Sequence, residues 1–276
     1  MTTRENFPVG SLLIRSDLRQ VVAAFYRMAR DADDVADDPA RSAGDKLQAL
    51  DLFEAGLSGD STGAPQAFAL HALNRPEPLR HARQLLHAFR RDARNEACAT
   101  WDDLLAYCED SANPAGRFLL DLHGEDREAW PLSDRLCTAL QVLNHLQDLK
   151  ADHLLMGRHY LPLVWMEEER VSLADLEAKA MSPGLRRCVD RALDRCDAML
   201  DGARALPSAL GSRRLAAEAA TILWLARRLS ARLRGGDPLA GRVAPSRADF
   251  ARAGAVGLWT ALGPRAAPRL LREEGA

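Results

Sequence analysis

The stretch Arg27–Asp38, "RMARDADDVADD", places five aspartates, Asp31, Asp33, Asp34, Asp37 and Asp38, in eight positions. Its periodicity is helical. Leu18, Val21, Phe25, Met28, Ala32 and Val35 recur at the spacing of one apolar stripe. Beside it, Tyr26, Arg30, Asp33, Asp34 and Asp37 fall at offsets 0, 4, 7, 8 and 11 and share a second, polar face. Ser16 is the expected N-cap of a helix entering at Asp17, and Pro39 closes it. Carboxylates four apart repel by roughly 0.2–0.5 kcal/mol per exposed pair. They also sit at the helix C-terminus, where the macrodipole disfavours negative charge. Two readings stand at this point. One is a solvated acidic helix end. The other is a set of hard oxygen ligands for a cation such as Mg²⁺, which uses one or two carboxylates together with substrate phosphates.

A second stretch, Leu140–Pro162, "LQVLNHLQDLKADHLLMGRHYLP", sets Asn144, Asp148 and Asp152 four residues apart, again on one helical line. Leu140, Val142, Leu143, Leu146 and Leu149 around them imply a largely buried helix, where an unpaired carboxylate is costly. Two such sets facing each other inside a helical barrel would form a cage for metal ions that clamp a diphosphate. Arg30 and Arg158 would add positive charge for the anion.

The rest of the 276-residue chain is consistent with a helical enzyme. It is 47% hydrophobic with a formal net charge of −2, which argues against nucleic acid as a partner. Five scattered cysteines without a CxxC pair point to a reduced, cytoplasmic setting. The N-terminus does not resemble a signal peptide, and no apolar window is long enough for a transmembrane helix. Helices are expected over 45–57, 64–73, 77–95, 101–121, 133–156, 172–180, 184–206, 212–234 and 245–262, separated by Gly/Pro punctuation. No strand alternation or fixed repeat is present. The expectation is one all-α domain over 1–276, of about ten helices, with a frayed tail over 263–276.

"YRMARDADDVAD" and "NHLQDLKAD", the latter followed by "GRHYLP", resemble the two aspartate motifs of the squalene/phytoene synthase family, the head-to-head prenyl transferases. The resemblance runs from about Glu5 to Ala248. "ENFPVGS" at Glu5–Ser11, "YCEDSANPAGR" at Tyr107–Arg117 and Gln147 resemble the hydroxysqualene synthase branch. The resemblance implies an isoprenoid-synthase helical bundle around a central hydrophobic cavity. It implies that Asp33, Asp34, Asp37, Asn144, Asp148 and Asp152 bind two or three Mg²⁺ ions. Asp33, Asp37, Tyr107, Asp148 and Asp152 would be catalytic, and Tyr26, Arg30, Gln147, Arg158, Tyr160 and Arg242 would contact the substrate. Gly116 would be a close-packing glycine. Other members carry a tyrosine where this chain reads "ILWLARRL", with Trp224 filling some of that space.

The implied reaction is loss of diphosphate from presqualene diphosphate and capture of the cation by water. No NADPH is expected, and no GxGxxG fingerprint is present. The alternatives are a presqualene diphosphate or phytoene-type synthase condensing two prenyl diphosphates, and a non-catalytic assembly factor of the same fold. The implied partners are an isoprenoid diphosphate and a presqualene diphosphate synthase that supplies it. Peripheral contact with the inner membrane face would use the arginines of "LARRLSARLRGG", which otherwise form a solvated face. His145 and His153 are expected to be structural or solvent-facing. Asp102 and Asp103 are expected to be first-turn acids, and Cys108 a packing residue.

Overall fold

The computed structural model describes residues 14–60, 62–72 and 76–263, and among them no strand occurs. Helix α1 spans Arg19–Asp37. It is followed by α2 (Ala43–Leu57), α3 (Ala64–Ala72), α4 (Pro76–Ala93), α5 (Trp101–Ser111) and α6 (Asn113–His123). The second half holds α7 (Trp130–Gln147), α8 (Leu149–Met156), α9 (Leu163–Glu168), α10 (Pro183–Gly202), α11 (Leu206–Ala209), α12 (Arg213–Gly235) and α13 (Arg247–Leu262). The tail beyond Gly263 and the "ENFPVGS" stretch lie outside the described residues.

Several boundaries differ from the expected ones for local reasons. Helix α1 starts at Arg19 rather than Asp17, and Ser16 is not its cap. Leu18 takes the N-cap position without a side-chain bond, and its amide closes a turn onto the Arg15 carbonyl at 3.0 Å. The expected helix 101–121 is two helices. Pro114 lacks the N–H that would continue the ladder, and Ala112 leaves helical geometry at φ −121°, ψ −48°. The expected helix 133–156 begins earlier, with Pro131 in its first turn, and breaks at Asp148. Residues 172–180 hold only a 3₁₀ turn, Leu173–Glu177, opened by a Ser172–Asp175 capping box. The short α9 has no counterpart among the expected helices.

The buried side chains form two apolar clusters. In the first, α1, α3 and α6 meet through Phe25, Phe68 and Phe118. Phe25 stacks on Phe118 with ring centres 3.9 Å apart, and Phe68 meets both edge-on. Burying a phenylalanine of this kind contributes about 1.5–3 kcal/mol. The second cluster joins α5, α7, α10 and α12, with Leu143, Leu146, Leu193 and Leu229 fully or nearly fully buried. Trp101 and Trp165 stack at 5.3 Å on its flank. Gly116 lets α6 approach α7: a Cβ there would lie 2.5 Å from the Ser133 hydroxyl and 2.6 Å from the Cys137 sulfur. The close-packing role is therefore visible at this crossing. All five cysteines are free thiols. Among the described residues, no helix is long and apolar enough to cross a membrane.

Candidate active site

Helix α1 buries Val21, Val22, Phe25, Met28, Ala32 and Ala36, which leaves its aspartate face along the edge of the core. Arg30 donates to Asp33 at 3.3 Å and lies 3.5 Å from Asp34. Asp34 is mostly exposed, whereas Asp33 and Asp37 are half-buried. A third of the Asp33 side chain reaches solvent, yet its carboxyl is crowded by protein. That desolvation, and next the charge of Asp37, push its pKa up to about 7 against the pull of Arg30. Tyr26 and Arg30 line a cavity of about 480 Å³ together with Ile14, Arg19 and Val22. Asp31 is exposed on the rim of that cavity. Asp38 closes the turn after α1, accepting from the Ala40 amide at 2.9 Å and from Arg41 at 3.0 Å. These bonds hold its carboxyl below the usual range, the amide bond first.

The second aspartate set lies across the α7–α8 break. Asp148 itself is the break, at φ −102°, ψ 12°. The i→i+4 bonds continue on both sides of it, from the Asp148 amide to the Asn144 carbonyl at 3.0 Å and from the Asp152 amide to the Asp148 carbonyl at 2.8 Å. The line of three oxygen-bearing residues therefore survives the kink. Burial, and then the charge of Asp152, push the Asp148 pKa upward, while Arg242 opposes them. Arg242 reaches Asp148 from the α12–α13 loop at 3.3 Å. Gln147 is buried, and its amide donates to the Val243 carbonyl. It thus anchors the loop that carries Arg242.

Between the two sets stands Asp92, at the end of α4, which the sequence reading did not single out. It is 8% exposed. Its carboxylate accepts from the Tyr107 hydroxyl at 2.9 Å and from the Tyr160 hydroxyl at 3.2 Å. Arg158 donates to the Asp92 carbonyl at 3.1 Å, to the Ala36 carbonyl at 2.8 Å and to the Asp37 carboxylate at 2.5 Å. His145 stacks on Tyr160 with ring centres 3.5 Å apart, and its Nδ1 lies 3.9 Å from Asp152. A continuous chain of contacts therefore runs Asp37–Arg158–Asp92–Tyr160–His145–Asp152, from one aspartate motif to the other. Burial raises the Asp92 pKa, opposed first by Arg158. Burial also works against the charge on Arg158, but Asp92, Tyr160 and Asp37 outweigh it and raise its pKa. Burial, reinforced by Asp92, raises Tyr107 and Tyr160, so both phenols remain hydrogen-bond donors at neutral pH.

The missed signal at Asp92 was present in the chain. Leu85, Leu86, Ala88 and Phe89 form the buried face of α4, and Asp92 occupies the next apolar register with Ala93. A carboxylate where the helical period calls for an apolar side chain demands buried partners.

Other expected residues fall as follows. His145 is buried within the chain of contacts and does not face solvent. His153 lies 3.3 Å from Glu177. Asp103 forms a capping box with Thr100, and Asp102 shares that first turn. Cys108 is fully buried. Trp224 is half-buried beneath the Arg228 guanidinium, 5.9 Å from the ring centre. The arginines of "LARRLSARLRGG" lie on a partly exposed face and are engaged in ion pairs there. Arg227 pairs with Asp201, Arg228 and Arg232 with Asp249, and Arg234 with Asp194 and Asp197.

Comparison with known proteins bears on this arrangement. Residues 2–249 match the family model for squalene/phytoene synthase. A hydroxysqualene synthase from Zymomonas mobilis is 40% identical over 251 residues, covering 89% of this chain and 84% of the relative. One from Rhodopseudomonas palustris is 39% identical, covering 87% of this chain and 82% of the relative. Among solved structures, squalene synthase HpnC from Alicyclobacillus acidocaldarius superposes with a TM-score of 0.72 at 34% identity, covering 82% of this chain and 87% of that one. A dehydrosqualene synthase at 19% identity shares the fold with a TM-score of 0.77, covering 93% of this chain and 91% of that one. The all-α bundle is thus the isoprenoid-synthase fold, and the chain belongs to the squalene/phytoene synthase family of enzymes.

Proposed function

We propose that the protein converts presqualene diphosphate and water into hydroxysqualene and inorganic diphosphate. The observation that carries this reading is the unbroken chain of contacts from Asp37 to Asp152, which ties two aspartate-bearing helix ends into one polar site. The relatives named hydroxysqualene synthase, near 40% identity over most of the chain, support the choice of substrate.

Magnesium is the proposed cofactor, as two or three ions. The residues fit it. Asp33, Asp34, Asp37, Asn144, Asp148 and Asp152 offer oxygen only, and the Asp33 carboxyl is crowded by like charge from Asp37, Asp92 and Asp34. Among the described residues, no three acidic, histidine or cysteine side chains converge on one point. The diphosphate oxygens would therefore complete each coordination shell. When bound, the metal supplies Lewis-acid stabilisation of the leaving diphosphate.

The chain's own groups orient and shield. Arg30 and Arg242, already beside the aspartates, are placed to bind diphosphate oxygens. Arg158 holds Asp37 in position through a two-pronged bridge to α1 and α4. The carbon–oxygen bond to diphosphate breaks, and its electron pair leaves with the diphosphate. The cyclopropylcarbinyl cation left behind rearranges, a cyclopropane carbon–carbon bond breaks as the carbon–oxygen bond to water forms, and the water's extra proton passes to the released diphosphate. The exchange of diphosphate for hydroxyl is redox-neutral, so no nicotinamide is required. Leu104, Val142, Leu146, Leu149 and Leu161 pack beside His145 and Tyr160 and would keep further water from that side of the site. A presqualene diphosphate synthase is the proposed supplier of the substrate.

The test is incubation of the purified protein with Mg²⁺ and either presqualene diphosphate or farnesyl diphosphate, without NADPH, followed by mass spectrometry of the lipids. Hydroxysqualene from presqualene diphosphate supports the proposal. Turnover of farnesyl diphosphate with inertness toward presqualene diphosphate would replace it with the condensing-synthase reading.

A further inference from the structure

Helix α13 packs on α12 through Ala253 and Gly257, and any Cβ at 257 would run into Thr221. Its opposite face is unusual. Phe250, Ala251, Gly254, Ala255, Leu258, Trp259 and Leu262 follow one another at three- and four-residue spacing and are all exposed. Trp259 is 75% exposed, Leu262 74% and Leu258 61%. A tryptophan and two leucines left in water on one helix face mark a surface with a partner.

Charge identifies the partner. From Arg242 to Leu262 the sequence carries three arginines, Arg242, Arg247 and Arg252, and one acidic residue, Asp249. That aspartate is 2% exposed and is consumed by Arg228, Arg232 and the Ser246 cap. Arg247 and Arg252 flank the apolar face and are exposed. Arg213, exposed at the start of α12, bonds the Ala261 carbonyl at the far end of α13. The face is thus apolar in its centre and positive at its rim, with no exposed acid on α13. A second copy fits it poorly. In a two-fold contact the same patch meets itself, so arginine would meet arginine without a carboxylate to pair. An anionic bilayer fits on both counts. Indole and leucine side chains seat at the headgroup boundary, and guanidinium groups meet lipid phosphates.

We propose that the exposed face of α13, centred on Leu258, Trp259 and Leu262 and rimmed by Arg247 and Arg252, docks the protein on anionic lipid membranes. This moves the membrane contact away from the α12 arginines, which are engaged in ion pairs. It does not depend on which isoprenoid diphosphate the active site accepts.

The test uses the full chain and flotation with vesicles of phosphatidylcholine, alone or mixed with phosphatidylglycerol. The expected result is binding to the mixed vesicles at least about tenfold stronger than to phosphatidylcholine alone, weakening with salt. Leu258→Ser combined with Trp259→Ser should abolish it, and Arg247→Glu with Arg252→Glu should reduce it at least about tenfold. Circular dichroism should show every variant folded, with turnover of detergent-dispersed substrate unchanged. Three outcomes would overturn the proposal. The first is no preference for anionic vesicles. The second is unaltered binding by the folded Ser variant. The third is sedimentation showing a dimer that the same substitutions dissociate. A chain ending at Gly263 should still bind the mixed vesicles. If it alone acquires binding, the face is covered by the chain's own tail.

Discussion

At the scale of single residues, the proposed function distinguishes side chains that would bind diphosphate from those that hold them in place. Asp33→Asn and Asp148→Asn preserve shape and remove one charge each. Each should lower kcat by at least about 100-fold, the size expected when a main electrostatic contact is lost. The melting temperature should rise or stay within a few degrees, because like-charge repulsion at these carboxyls is relieved. A large loss of stability in differential scanning fluorimetry would make them structural residues. Asp92 should behave in the opposite way. Asp92→Leu strands the buried hydroxyls of Tyr107 and Tyr160 and leaves Arg158 with one carboxylate fewer nearby. It should cost at least about 1–3 kcal/mol in urea unfolding. Asp33, Asp37, Asp148 and Asp152 stand out in the sequence because their spacing repeats on a helix. Asp92 does not, because its partners come from positions 15 to 68 residues away along the chain. Gln147 and Arg242 were named through the family resemblance, but their contacts were not legible. Their partners, Val243 and Asp148, lie 96 and 94 residues away, and only the folded loop brings them together.

At the scale of elements, two devices can be tested separately. The α6–α7 crossing depends on Gly116. A methyl group there meets the Ser133 hydroxyl and the Cys137 sulfur, both short side chains fixed on α7. Gly116→Ala should therefore destabilise by about 1–3 kcal/mol, measured as a lower denaturant midpoint at unchanged slope. The α12–α13 pair depends on Asp249, whose carboxylate accepts from the Ser246 amide and hydroxyl and bonds Arg228 and Arg232. The backbone bond to Ser246 is the leading cause that holds its pKa well below the usual carboxylate range, with the two arginines adding to it. A depressed carboxylate contributes stability above its unfolded pKa of about 3.9 and loses it as pH falls below that value. The stability difference between the native chain and Asp249→Asn should be constant from about pH 5 to 8 and shrink below about pH 4. A difference that grows toward acid would contradict the assignment. Element existence was largely legible from apolar spacing. The breaks at Ala112 and Asp148 were not, since the hydrophobic period runs through both and only backbone geometry records them.

At the scale of the whole molecule, the helical class followed from unbroken 3.6-residue patterning and from sparse aromatic residues, and the isoprenoid-synthase bundle bears this out. What the pattern could not convey is how the two halves connect. Phe25, Phe68 and Phe118 close one cluster and the leucines of α7, α10 and α12 the other, while a polar chain through Asp92 links the aspartate motifs. The central claim is that this polar site releases diphosphate and that water, not a second prenyl chain or a hydride, ends the reaction. The most direct measurement is turnover of presqualene diphosphate with Mg²⁺ in ¹⁸O-labelled water, with mass spectrometry of the lipid product. The expected product is a C30 alcohol whose hydroxyl oxygen carries the label, together with unlabelled diphosphate. An unlabelled alcohol, or a hydrocarbon product, would contradict it.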